Sequence, residues 1–382
     1  MNACSRPYLN GMGYVYYYSK DELSPHIVAE KLRRLNVKSV RVWSQMSWLM
    51  KDAYTINREI ADDYHKMYSI LKAAGVEQLV GVSHYWFYPE EMGIPQGESS
   101  GVPARDTAPG SDYQRFLELY EVSWRTLAAE FPEVTDWETG NEFNHKAFLH
   151  PLKPMDETGR DWFTIAERAD ICTDLMFHAA RGIRSVRPEA GIIMPGMAPV
   201  GERGDGVFAT SIAAEYDGMT QTLTRIYDNI RSGAFGSTDP RAFFDQLAWH
   251  PYFAEQDETG AWHWRVPNEK WVAVNREVYD VAVRAGDSGV GCCFTEWGFN
   301  DWGSEEVDEE LTTNIREGMR LIKEQLPFVT TVHAYRFFDS MGYVTEEKDN
   351  YSFFTMRNGS LKAKRRTLAL QEAYGGSGDL NE

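Results

Sequence analysis

The chain has 382 residues, 43% of them hydrophobic and 13% aromatic, and a formal net charge of −18. That much apolar side chain excludes a disordered protein and allows one large core or two ordinary domains. A field this negative excludes nucleic acid as a partner, because phosphate binding needs positive charge, and no run approaches the ~18 to 20 apolar residues of a membrane span. Residues 1–20 lack the basic start and apolar core of a signal peptide. The expected location is the cytoplasm, or outside the cell with a leader already removed. Of the four cysteines, Cys4, Cys172, Cys292 and Cys293, the last two are adjacent inside an apolar run. Successive strand side chains face opposite ways, so the pair suits small buried groups better than a disulfide or a zinc site.

Short apolar runs alternate with longer amphipathic ones along the whole chain. A strand is predicted over 11–17, then a helix over 24–35 with Ser24 as a cap ahead of Pro25. A second strand covers 39–44 and a helix 57–74, which stops at Gly75. A third strand over 78–85 leads into a Pro/Gly/Ser-rich loop, 89–110, of a length that is usually functional. A helix over 112–131 follows, then a fourth strand over 134–139 and a helix over 165–186. Strand five is read at 191–197, followed by a Gly-rich loop at 201–206 and a helix around 222–230. Strand six is 243–252 with its helix at 269–285. Strand seven is 290–296 with its helix at 308–325. Strand eight is 329–338, and a short hairpin-like piece, a turn at Asn358-Gly359 and a helix over 362–374 close the chain. The basic run Lys362-Ala-Lys-Arg-Arg366 reads as a solvated face of that last helix.

Eight strand–helix units without a linker or composition break imply a parallel sheet in a single domain, 1–382. Eight of them point to an α/β fold, a closed (β/α)8 TIM barrel, which takes about 250 residues before insertions. The remaining residues then extend the loops at the C-terminal ends of the strands, the face where such barrels place their active sites. An open doubly wound sheet is the alternative. It calls for a Gly-rich phosphate loop after strand one, and Gly11-Met-Gly13 lies within the strand instead.

Two stretches carry chemistry. The fourth strand runs into Thr139-Gly-Asn-Glu142, and about 150 residues later the seventh ends in Phe294-Thr-Glu-Trp-Gly298. In a closed barrel the ends of strands four and seven face each other across the mouth. Two carboxylates so placed, one protonated and one ionised, are what cleavage of a glycosidic bond requires. Arg41 on strand two is placed to hold Glu296 ionised. The end of strand six, Trp249-His-Pro-Tyr252, offers a hydroxyl for the same carboxylate, Asn141 an amide for a sugar hydroxyl, and His84 after strand three a further polar group. Of twelve tryptophans, Trp43, Trp86, Trp297 and Trp302 follow predicted strands and are expected to stack on sugar rings. Arg336 and Arg105 would mark an acidic sugar.

Asn141-Glu142 closing strand four, Glu296-Trp297-Gly298 closing strand seven and Tyr252 after strand six resemble clan A of the glycoside hydrolases, families 39, 79 or 5 in particular. The tail Ser352-Phe-Phe-Thr-Met-Arg-Asn-Gly-Ser-Leu-Lys362 resembles that clan's closing turn. The resemblance implies a retaining (β/α)8 enzyme with Glu142 as acid/base, Glu296 as nucleophile, and Asn141, Arg41, His84, His250 and Tyr252 in support. Two departures stand out: Phe143 follows the acid/base where many members have Pro, and Tyr335-Arg336-Phe337 occupies strand eight where the sugar platform is often Trp. The expected partner is a carbohydrate, a β-linked neutral plant or microbial glycan, and no cofactor or metal is required. The alternatives are a metal-dependent barrel hydrolase, for which His84 and His250 are a thin ligand set, and a non-catalytic sugar-binding barrel, which would be expected to have lost one glutamate.

Overall fold

A computed structural model describes residues 7–16, 23–97, 100–202, 212–256, 262–301, 307–338, 350–357 and 360–382, with the side chains of 212–217, 255–256, 262 and 356–357 excepted. Eight parallel strands close into a barrel: β1 (Leu9–Tyr14), β2 (Ser39–Trp43), β3 (Gln78–Val82), β4 (Asp136–Glu138), β5 (Gly191–Ile193), β6 (Gln246–Trp249), β7 (Gly291–Trp297) and β8 (Val329–Ala334). Each pairs with its neighbours in sequence. β1 closes the cylinder by pairing with β8, Leu9 opposite Thr331 and Met12 opposite Ala334. Apart from a single turn at Met46–Leu49, the α-helices are α1 (Pro25–Arg34), α2 (Arg58–Ala73), α3 (Asp112–Glu130), α4 (Ile165–Arg184), α5 (Ile212–Ser232), α6 (Glu269–Arg284), α7 (Asp308–Gln325) and the closing α8 (Arg365–Tyr374). This is the (β/α)8 barrel expected from the alternation.

Several strands are shorter than their apolar runs because they leave the ladder before the barrel's mouth. β5 stops at Ile193, two residues short of Pro195, which has no N–H to offer a neighbouring strand. The chain returns to contact only at single bridges, Gly196 to Asn141 and Met197 to Trp249. β6 likewise ends at Trp249, so His250 and Tyr252 lie on the loop beyond it. The helix expected at 222–230 begins ten residues earlier, at Ile212; Gly218 interrupts the apolar pattern that would have extended it. Among the other predicted features, Tyr17, residues 203–206, the turn at Asn358-Gly359 and Cys4 lie outside the described residues.

The insertions fall on loops that follow strands. Met50–Asp52 pairs with Thr55–Ile56, Ala254–Gln256 with Trp262–Trp264, and Phe354–Arg357 with Ser360–Ala363. The long loop after β3 is tied to the loop after β4, where Gly101 and Val102 pair with His150 and Pro151. No helix among the described residues is long and apolar enough to cross a membrane.

The basic run near the end is not a solvated helical face. Its first residues form a strand, and Arg366 is only 1% exposed. Arg366 and Lys364 both grip Asp301, at 2.7 and 2.6 Å, and Arg366 also donates to the carbonyls of Phe299 and Ser352. A buried guanidinium needs such partners. They fasten the tail to the loop that follows β7. Cys172, Cys292 and Cys293 are buried, as the adjacent pair suggested.

Candidate active site

The mouth of the barrel is organised by Arg41. It projects inward from β2, is 1% exposed, and its guanidinium faces three acceptors. Nε and Nη2 fork onto Glu138 of β4 at 2.5 and 3.2 Å, Nη1 donates to Glu296 of β7 at 2.8 Å, and Nη2 donates to Asn141 at 2.7 Å. Burial opposes its charge, but the Glu138 and Glu296 carboxylates hold it firmly protonated. The planar fork suits this work as an ammonium would not.

Glu296 receives a second hydrogen bond on its other oxygen, from the Tyr252 hydroxyl at 3.0 Å. Burial, and then the charge of Glu296, pushes the Tyr252 phenol well above its usual range, so it stays a donor. Across the mouth Glu142 stands past the end of β4 with a positive φ of 48°, a left-handed backbone that non-glycine residues adopt rarely and often at functional sites. The turn is held by Glu142 N donating to Gly196 O at 2.8 Å. Asn144 locks onto both backbone groups of Ala198, at 2.6 and 2.9 Å. Phe143 is buried beneath Gly140 and packs edge-on to Trp86, which gives the residue after Glu142 an anchoring role in this chain.

His250 joins the two acids. Its Nδ1 is 2.6 Å from Glu142 Oε1 and 3.7 Å from Glu296 Oε2, and its Nε2 is 3.1 Å from Thr295 Oγ1. One oxygen of each glutamate and a ring nitrogen of His250 all lie within 4.8 Å of one another. Burial acts to raise the Glu142 carboxyl, yet the hydrogen bond and charge of His250, with smaller contributions from His145 and Arg41, hold it below its ordinary value. Burial acts to lower His250, and the charges of Glu296 and Glu142 overcome it. The pair therefore holds one proton, resting on the imidazole. This trio could also be read as a metal-ligand set, but Arg41 sits 2.8 Å from Glu296 and would repel a second cation there.

His84 lies beside this network at the end of β3, edge-on to Trp43. Burial and then Arg41 lower it to about 3, so the ring is neutral. Trp43 is 9% exposed, and the Arg41 guanidinium sits 5.7 Å from its ring centre. Two further tryptophan expectations are corrected. Trp86 is fully buried and its indole N–H donates to Gly101 O and Tyr88 OH; Trp297 is 1% exposed and packs on Trp271, Phe299 and Gly318. Neither ring can reach a sugar, and Trp302 lies outside the described residues. Arg336 is buried with Nη1 on Tyr335 OH at 3.1 Å, and Arg105 pairs with Asp174 at 2.8 Å against the face of Phe235. Both arginines are occupied by the protein itself.

Glu138, Gly196, Thr295, Asn144 and Gln45 were not anticipated. The signal for Glu138 was present: a carboxylate inside an apolar barrel strand needs a buried cation, and Arg41 is the cation on a strand one removed.

No protein-family model and no curated protein matches the chain. Solved structures do match it. A family 1 β-glucosidase from Thermotoga maritima superimposes with a TM-score of 0.61 at 13% identity, over 99% of this chain and 100% of that one. A family 5 xyloglucanase from Paenibacillus pabuli gives 0.60 at 12%, over 96% and 98%. A family 39 glycoside hydrolase from Bacteroides cellulosilyticus WH2 gives 0.57 at 15%, over 97% of this chain and 64% of that one. At these identities the likeness is one of fold, the closed (β/α)8 barrel.

Proposed function

We infer that the chain is a glycoside hydrolase that cleaves β-linked glycans with retention of anomeric configuration, through a glycosyl ester on Glu296. One observation carries the reading: carboxylate oxygens of Glu142 and Glu296 lie within 4.8 Å of each other at one rim of the barrel. Retaining enzymes hold their carboxyls ~5 to 5.5 Å apart, whereas inverting ones need ~6.5 to 9.5 Å to admit a water.

The surroundings divide the labour. Arg41 and Tyr252 each donate to Glu296, one to each oxygen, aiming it for attack on the anomeric carbon. The proton for the leaving oxygen comes from the Glu142–His250 pair, delivered through Glu142. Once the ester forms, Glu296 loses its negative charge, and with it goes a main reason for His250 to be protonated. His250 is then neutral and Glu142 ionised, ready to take a proton from the incoming water. That water releases the sugar, and its proton restores the pair. One proton thus cycles without outside help, and no cofactor or metal takes part.

Asn141 has its carbonyl oxygen on Arg41, so its amide nitrogen faces outward for a sugar hydroxyl. His84 and the exposed edge of Trp43 complete the donor and apolar surface. The substrate is a neutral sugar: Arg41, Arg105 and Arg336 all have protein partners, and the similar structures include a β-glucosidase and a xyloglucanase. The test is a panel of aryl β-glycosides with the first-formed product anomer followed by NMR. A β-anomer formed first is the expected result, unchanged by EDTA. First formation of the α-anomer, or activity that EDTA abolishes and zinc restores, overturns the reading.

A further inference from the structure

Gln45 and His84 meet where β2 and β3 end. The backbone N–H of His84 donates to Gln45 Oε1 at 3.1 Å, and Ser83 Oγ donates to the same oxygen at 3.3 Å. A backbone N–H can only donate, so the amide's orientation is settled by chemistry: its oxygen faces His84 N, and its NH2 faces the ring. That NH2 lies 2.9 Å from His84 Nδ1. Nδ1 must therefore accept, and the ring proton must sit on Nε2. The amide is itself held, since Ser83 also accepts from Met46 N at 3.1 Å.

His84 Nε2 has no hydrogen-bond partner among the described residues and is not a sealed buried atom. It lies on a side chain that is 4% exposed, beside Trp43, which also flanks Arg41. We propose that Gln45 is a positioning residue that fixes His84 as a neutral Nε2–H donor, so that this edge of the site recognises a sugar hydroxyl through its oxygen lone pair. The inference rests on the carbohydrate reading for the ligand, but the tautomer itself does not depend on that reading. A ring lacking the Gln45 bond could turn a lone pair or a second N–H to the substrate, and either would read a hydroxyl differently.

Histidine-selective 15N labelling and long-range 1H–15N correlation, with His84 identified by its loss in His84→Gln, read the tautomer directly. Wild type is expected to show Nδ1 unprotonated and Nε2 protonated from about pH 5.5 to 8. In Gln45→Glu the carboxylate accepts where the amide donated, so Nδ1 becomes protonated. In Gln45→Met the site is filled without a donor and both tautomers appear. On the best substrate Gln45→Glu should raise KM at least about tenfold with kcat changed less, because the interaction is made in the ground state too. A loop-packing role alone predicts no nitrogen change in either variant. Protonated Nδ1 in the wild type overturns the proposal, without any variant having to fold. If the tautomer is as stated but no glycoside is cleaved, the functional reading fails and the assignment of Gln45 stands.

Discussion

Arg41 sets the geometry of Glu296, Glu138 and Asn141 together, so its replacement tests more than a charge. Arg41→Lys keeps the cation but has no fork to span Glu138, Glu296 and Asn141. One of two buried carboxylates is then left without its partner, and a loss of about 3 kcal/mol in unfolding free energy is expected, along with most of the turnover. Equal denaturant midpoints for the two proteins would contradict the picture of a shared buried cation. His250 makes a different prediction. In His250→Asn the imidazole hydrogen bond that lowers Glu142 is gone, and burial, which raises it, remains. In the proposed cycle Glu142 must be ionised to act as base, so the acidic limb of kcat should move to higher pH; an unmoved limb would detach His250 from that cycle. At this scale the sequence revealed the residues whose chemistry is unusual for their place: two glutamates ending apolar strands, an arginine inside one, a His-Pro-Tyr after another. It misread Trp86 and Trp297 because a ring that follows a strand looks the same whether it turns to the mouth or to the surrounding helices. For Trp297 the alternation of side chains along β7 held the answer, since a residue next to the inward Glu296 faces outward.

Elements place these residues, and one close approach is at Gly196, past the end of β5. A Cβ there would lie 2.4 Å from His250 Nε2 and from Thr295 Oγ1. Gly196 also donates to Glu138 and accepts from Glu142. Gly196→Ala must push His250 off Glu142, and about a hundredfold loss of kcat/KM is expected from a displacement of that size; wild-type kinetics in the variant would mean the acid does not depend on His250. Between α2 and α3 a pH-dependent tie is visible. Burial would lower His65, but hydrogen bonds to Glu133 at 2.8 Å and Glu130 at 3.0 Å prevail and raise it. A group raised on folding contributes its full stability below its unfolded pKa of about 6.5 and loses it as pH rises through the folded value. Wild type should therefore exceed His65→Asn in urea midpoint at pH 5.5, with the margin shrinking by pH 9. A margin that grows with pH would reverse the assignment. Helices and strands were legible from apolar period, and helix ends from signals such as the Ser24 cap and the stop at Gly75. Strand ends were not, because the apolar run continues into loops that are buried at the mouth.

Over the whole molecule, eight repeats of one unit made the barrel legible, whereas contacts between distant segments were not. The tail shows this best: a basic run suggests a wet surface until Asp301, more than sixty residues earlier, is brought against Lys364 and Arg366. Asp301→Asn should lower unfolding free energy by about 3 kcal/mol, since it strips a buried guanidinium of its principal charge partner; an unchanged denaturant midpoint would show that tie to be incidental. The same closure that fastens the tail brings strands four and seven opposite each other and sets the two glutamates at one rim. The most direct measurement of that central claim is to incubate the protein with an activated 2-deoxy-2-fluoro β-glycoside of the preferred sugar and map the adduct by peptide mass spectrometry. The account predicts one glycosyl ester on Glu296, absent in Glu296→Gln, with turnover of ordinary substrates by that variant down about 10⁴-fold. An ester on any other residue would contradict it.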